Sequence, residues 1–276
     1  MKWLHFILSH SFFVALCAVA LAFQTSLLLH LQVNHFLYGF IFFATLCSYN
    51  FYWLLSKYSF LPRTSLPVFI RKEMTELIMI AGAACGLLYC FLQIHIKTGI
   101  LVTSVVLTAL YALPLLPFRF LRFTRRAGVL KTSLLAFTWT YVTAFIPMEK
   151  TTALLSNAEL FILSRRFLFM LILCIIFDNR DIAVDKIRGL RSLATDLGPR
   201  VMRYLIILIF LVLFASNFLF RHFGVSMAQS IALQFSTIAL LVTYYYSTKK
   251  QGYLFYYFWV DGLMLFSALA TYIASI

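Results

Sequence analysis

Residues 160–198 read LFILSRRFLFMLILCIIFDNRDIAVDKIRGLRSLATDLG. The stretch runs from apolar residues, whose only charges are Arg165 and Arg166, straight into four aspartates: Asp178, Asp181, Asp185 and Asp196. About 20 mostly apolar residues are what a helix needs to cross the hydrocarbon core of a bilayer. The change at Asp178 marks where such a helix leaves it.

The same kind of run repeats along the chain. Spans are expected near 11–32, 36–56, 74–94, 98–117, 132–148, 160–178, 201–220, 225–246 and 254–275. The runs are continuous rather than alternating, which predicts helices and not a barrel, since every backbone group must be satisfied within lipid. The expected fold class is therefore all-α, a polytopic membrane protein of about nine transmembrane helices, with residues 1–276 forming one domain. Composition agrees. The chain is 63% hydrophobic and 12% charged, with mean hydropathy +0.92; a soluble domain is typically about half apolar and a quarter charged. The N-terminal stretch mimics a signal peptide up to Ala18-Val19-Ala20, but the apolar run continues to Leu31, so it reads as an uncleaved first span.

The net charge is +14. Because the basic residues sit between apolar runs, they suit anionic lipid headgroups or an anionic substrate better than nucleic acid. With the N-terminus placed in the cytosol, eighteen of the 23 Lys and Arg residues fall on the cytosolic side; Lys97, Lys150, Arg165, Arg166 and Arg221 fall opposite. That bias follows the positive-inside rule and requires an odd span number. A bacterial inner membrane is the expected location. The five cysteines lie in apolar runs without a CxxC pair, and the six histidines are scattered, so neither residue type suggests a metal site or a disulfide framework.

Of nine acidic residues, four lie between Asp178 and Asp196. Asp178, Asp181 and Asp185 are spaced i, i+3, i+7, which on a helix turns three carboxylates to one side. Such a stripe repels itself unless a cation compensates. Mg²⁺ binds through one or two carboxylates plus substrate phosphates, so a metal bound with a phosphorylated lipid is one reading. The other is a solvated loop in which Arg180, Lys186 and Arg188 pair with the aspartates.

From Asp178 to Gly198 the chain resembles the second aspartate-rich motif of the UbiA-type membrane prenyltransferases. Arg180-Asp181, Asp185, Gly189, Ser192-Leu193-Ala194 and Leu197-Gly198 fall in register. Tyr111-Ala-Leu-Pro114, followed by Arg119, Arg122 and Lys131, is similar to that family's Tyr-x-x-Pro segment with its basic follow-on. The resemblance implies a nine-helix bundle. It also implies transfer of a prenyl group from a prenyl diphosphate to a lipid-soluble or aromatic acceptor, with Mg²⁺ held by Asp178, Asp181 and Asp185. Asn50, Tyr111, Arg122, Lys131 and Arg180 would contact substrate.

The family's first aspartate motif is missing. Its leading Asn is matched by Asn50, but its three Asp positions are Phe51, Leu54 and Tyr58. Lys57, i+7 from Asn50, is expected to supply a fixed positive charge in place of the lost ion, which would make it catalytic with Asp181 and Asp185; the alternative is a lysine snorkelling at a helix end. Loss of that motif also leaves open a non-catalytic protein that binds lipid or isoprenoid. A transporter predicts an internal repeat and charges at mid-membrane; no repeat is visible. Asp261, alone inside the last span, is a candidate functional acid because a charge there is costly. Glu73 and Glu76 suit the start of a helix. Trp53, Trp139, Trp259 and the many Phe and Tyr residues suit packing or a prenyl pocket alike.

Overall fold

The computed structural model describes residues 2–60, 71–112, 128–148, 155–188 and 191–276. Among them every regular element is a helix. A short α1 (Lys2–Ser9) precedes α2 (Phe12–Leu28), α3 (His35–Phe60), α4 (Met74–Leu92), α5 (Thr98–Ala112) and α6 (Gly128–Thr140). Helix α6 continues through a π segment, Tyr141–Phe145, to Met148. Then come α7 (Asn157–Arg188), α8 (Leu193–Ser216) with a 3-10 extension Asn217–Phe223, α9 (Met227–Ser247), a second π segment Phe255–Val260, and α10 (Asp261–Ile273).

Each expected span meets a helix. Six are long and apolar enough to cross a membrane: His35–Lys57, Met74–Leu92, Gly128–Met148, Asn157–Ile182, Leu193–Phe220 and Met227–Ser247. The first and fourth expected spans are shorter apolar helices, Phe12–Leu28 and Thr98–Ala112. The last is a helix whose first part is π-helical. Large apolar side chains such as Leu92, Val105, Tyr204 and Phe235 stand exposed, as expected where lipid replaces water as solvent.

Helix α2 packs on both α3 and α10; α3 packs on α4, α10 on α9, and α7 on α6, α8 and α9. Helix α7 is thus at the centre, and Ile172, Ile175 and Ile176 on it are almost fully buried. Two close approaches use glycine: a methyl group added at Gly39 would lie 2.8 Å from Cys90 Sγ, and one at Gly86 2.6 Å from the Phe43 ring, both where α3 meets α4.

Arg165 and Arg166, counted on the side opposite the motif, are buried, 9% and 6% exposed. Successive residues on a helix point about 100° apart, so the two arginines reach different neighbours. Arg165 donates to the Leu213 carbonyl (2.8 Å) and to Ser216 Oγ, and lies 4.6 Å from the Phe220 ring. It thereby satisfies carbonyls at the C-terminus of α8, where a cation also meets the negative end of the helix dipole. Arg166 Nη2 donates to the Leu21 carbonyl (3.0 Å), Gln24 Oε1 (3.0 Å) and Thr25 Oγ1 (3.2 Å). Gln24 Nε2 in turn donates to Ser267 Oγ (3.0 Å) and Thr271 Oγ1 (2.8 Å). One polar chain thus ties α7, α2 and α10 together inside the bundle.

Candidate active site at the end of α7

Helix α7 does not stop at Asp178. It runs on to Arg188, so Asp178, Asp181 and Asp185 share one continuous helix and the i, i+3, i+7 spacing holds as helical spacing. The side chain of Asp185, and the whole of Arg122, lie outside the described residues.

The described carboxylates have separate partners. Asp178 Oδ2 accepts from Thr132 Oγ1 at 2.5 Å, and the same Thr132 oxygen accepts from the Leu193 N–H at 3.1 Å. An unpaired amide of the first turn of α8 is thereby linked through one hydroxyl to a carboxylate of α7. Beside it, a methyl group at Gly128 would lie 2.6 Å from Ser192 N and O and from Asp196 Oδ2; only glycine lets α6 start against this backbone. Gly198, the last residue of the motif, has φ +72° and is followed by Pro199, so the chain turns there before the main run of α8. Thr132→Val is expected to leave the Leu193 amide and Asp178 without this partner and to destabilise the protein by about 1–3 kcal/mol. Thr132→Ser should retain stability in the same thermal melts.

Asp181 lies in a two-point fork with Arg180, Nε to Oδ1 at 2.7 Å and Nη2 to Oδ2 at 2.8 Å. The guanidinium carbon lies 5.0, 5.2 and 5.0 Å from the ring centres of Phe177, Tyr256 and Tyr257. Arg180 is therefore fixed by three rings, two of them from the π segment before α10, and it fixes Asp181. Asp181 remains 40% exposed along its side chain. The fork uses two of about four acceptor positions of a carboxylate, so Asp181 retains capacity for a further ligand.

The end of α3 differs from expectation. Lys57 Nζ lies 2.5 Å from Glu73 Oε2 and 2.7 Å from Glu76 Oε1. Lys57, expected to offer a cation to a diphosphate, is surrounded by two carboxylates at the start of α4, and the trio carries net negative charge. Asn50, expected to contact substrate, is 2% exposed and donates to the carbonyls of His10 (3.0 Å) and Leu46 (2.8 Å). It pins the break between α1 and α2, where Ser11 has φ 63°, a region unfavourable for a non-glycine residue. Phe51, in the first of the family's Asp positions, is exposed.

Tyr111 stacks on Tyr52 with centroids 5.1 Å apart, and Trp139 Nε1 donates to the Tyr49 hydroxyl at 3.1 Å. Both pairs join α3 to neighbouring helices. Lys131 is half-buried on the first turn of α6, next to Thr132. Sequence reading missed Thr132, Tyr256 and Tyr257. A signal was present for the tyrosines, which lie four and five residues before Asp261.

Among the described residues no three His, Cys, Asp or Glu side chains form a metal-binding group. Asp178 accepts from Thr132, and Asp181 is held by Arg180. What the residues fit is an ion bound mainly by substrate oxygens and met by Asp181, with Asp185 one turn further along the helix.

An apolar helical bundle with a forked Arg–Asp pair near the end of its central helix defines a membrane protein with an accessible carboxylate at that end. The comparisons place its fold. The chain matches the apo structure of a UbiA homolog from Aeropyrum pernix K1 with a TM-score of 0.63, at 13% identity, over 95% of this chain and 96% of that one. The chain thus has the UbiA-type prenyltransferase fold. No family model matches its sequence, and no curated protein does.

Proposed function

We propose that this chain is a membrane prenyltransferase-like protein that takes a prenyl diphosphate at the Asp181 end of α7 and passes the prenyl group to an acceptor at that face. The observation that carries the reading is the Arg180–Asp181 fork, caged by three rings and still accessible, on a helix whose motif is in register with that of the family. Asp181 and Asp185 would hold a Mg²⁺ ion arriving with the diphosphate. When bound, that ion neutralises charge on the leaving group.

The chain's own residues do the rest. Arg180 holds Asp181 in one orientation. Thr132 and Asp178 anchor the ends of α6, α7 and α8 against each other. Aromatic faces such as Tyr257 and Phe177 suit an electron-poor prenyl carbon, and apolar helices exclude the water that would quench it. The orientation follows from the basic bias: the motif end faces the cytosol of a bacterial inner membrane, and the N-terminus with it.

The Lys57–Glu73–Glu76 clamp favours a second reading. With the first aspartate motif replaced by Phe51, Leu54 and Tyr58, and with Lys57 neutralised, the bundle would bind an isoprenoid or lipid without cleaving a diphosphate. Full-length protein in nanodiscs, given radiolabelled geranyl, farnesyl or geranylgeranyl diphosphate with Mg²⁺ and an aromatic acceptor set, separates the two. Release of diphosphate with label in a new lipid product is the expected result. Saturable binding of every donor without release supports the second reading and rejects the first.

A further inference from the structure

Asp261 is the first residue of α10 and is 7% exposed. Its backbone is fastened, since its carbonyl accepts from Cys17 Sγ at 3.3 Å. Its carboxylate makes no hydrogen bond and no ion pair among the described residues, although a buried acid inside a bundle ordinarily has a partner. Arg180 presents the complementary deficit. Two of its nitrogens hold Asp181, while Nη1 is enclosed and makes no hydrogen bond.

The two unmet groups belong to one place. Tyr257, whose ring centre lies 5.0 Å from the Arg180 guanidinium, precedes Asp261 by four residues across the π segment. That is about one turn, so the two side chains stand on the same side of the helix. The π segment is what turns Tyr256 and Tyr257 towards Arg180 while Asp261 follows behind them. Such insertions are common at functional sites.

We propose that Asp261 and Arg180 Nη1 form a two-point site for a hydroxyl group on an apolar ligand. A hydroxyl both donates and accepts: its hydrogen would meet the Asp261 carboxylate, and its oxygen the free N–H of Arg180. An ether lacks the hydrogen, so it leaves Asp261 unmet. On the prenyl-transfer reading this site orients the acceptor, and only the identification of the ligand as an acceptor rests on that reading. The hydroxyl belongs to one of two ligand bodies, a phenolic ring or an isoprenoid alcohol, and the test has an arm for each.

The test measures binding in nanodiscs by tryptophan fluorescence for two matched pairs: 1-naphthol against 1-methoxynaphthalene, and farnesol against its methyl ether. A hydrogen bond that satisfies an otherwise unmet buried acceptor contributes enough to predict at least about a tenfold preference for the hydroxyl in one pair. The pair that shows it identifies the body. Asp261→Leu should abolish the preference while leaving ether binding unchanged. Asp261→Asn, which keeps the shape and puts an amide donor in place of one acceptor oxygen, should reduce it at least about threefold and serves if the leucine variant does not fold. Equal affinity within both pairs, failure of both hydroxyl probes to bind, or a preference that survives both substitutions overturns the proposal. Preference without diphosphate turnover supports this site and rejects prenyl transfer; turnover without preference does the reverse.

Discussion

Replacing Asp181 by asparagine is expected to lower prenyl transfer at least about a hundredfold, with little change in thermal stability. The size follows from what the charge is asked to do. A carboxylate aimed at a metal–diphosphate head acts in a water-poor site where removal of one fixed electrostatic partner commonly reduces turnover by about 10²–10³. The small structural cost follows from exposure: the Asp181 side chain is 40% exposed, and a pair so placed contributes little to folding. Donor binding to the membrane-embedded tail should persist, so the loss should appear chiefly in kcat. A variant that loses folding and turnover together would instead make Asp181 a structural partner of Arg180.

The largest structural effect is expected at Arg166. Arg166→Ala removes the donor shared by Leu21, Gln24 and Thr25 and leaves a space on the central helix. Hydrogen bonds from a charged group, partly offset by the modest worth of polar contacts within membranes, put the cost at about 2–4 kcal/mol. Most of it lies in Gln24 Oε1, which loses its donor, because Thr25 still donates to the Leu21 carbonyl at 3.1 Å and to the Thr143 carbonyl at 2.9 Å. The double variant with Gln24→Ala should therefore be less destabilised than the two single costs summed. Simple additivity in detergent melts would show that the two side chains do not act as one unit.

The helices were legible because a spanning run is a property of composition over about 20 residues and needs no knowledge of partners. The end of α7 was legible for another reason: acids are so rare in this chain that four in one stretch stand out. Contacts were not legible. Lys57 and Glu73 are sixteen residues apart across a connection, and nothing local says that their charges meet. A pattern of charge cannot reveal neutral acceptors, yet carbonyls, a side-chain amide and hydroxyls are what hold the Arg165 and Arg166 guanidinium groups. The spacing of Asp178 and Asp181 is helical, as the sequence predicts; what it could not show is that Thr132, contributed by α6, donates to the first carboxylate. Asn50 resembles a family position by type, yet in the structure it pins a helix break, a contact across forty residues that nothing local announces.

The account stands on an isoprenoid head lying against Arg180 and Asp181 with its chain inside the bundle. A photoreactive, diphosphate-bearing prenyl analogue, crosslinked to the full-length protein in nanodiscs and located by peptide mass spectrometry, tests that placement directly. Labelling confined to residues 171–185 and 253–264, and competed away by farnesyl diphosphate, is the predicted result. Labelling concentrated on outward-facing residues of α8 and α9 such as Tyr204, Leu208 and Phe235, and indifferent to competitor, would contradict it.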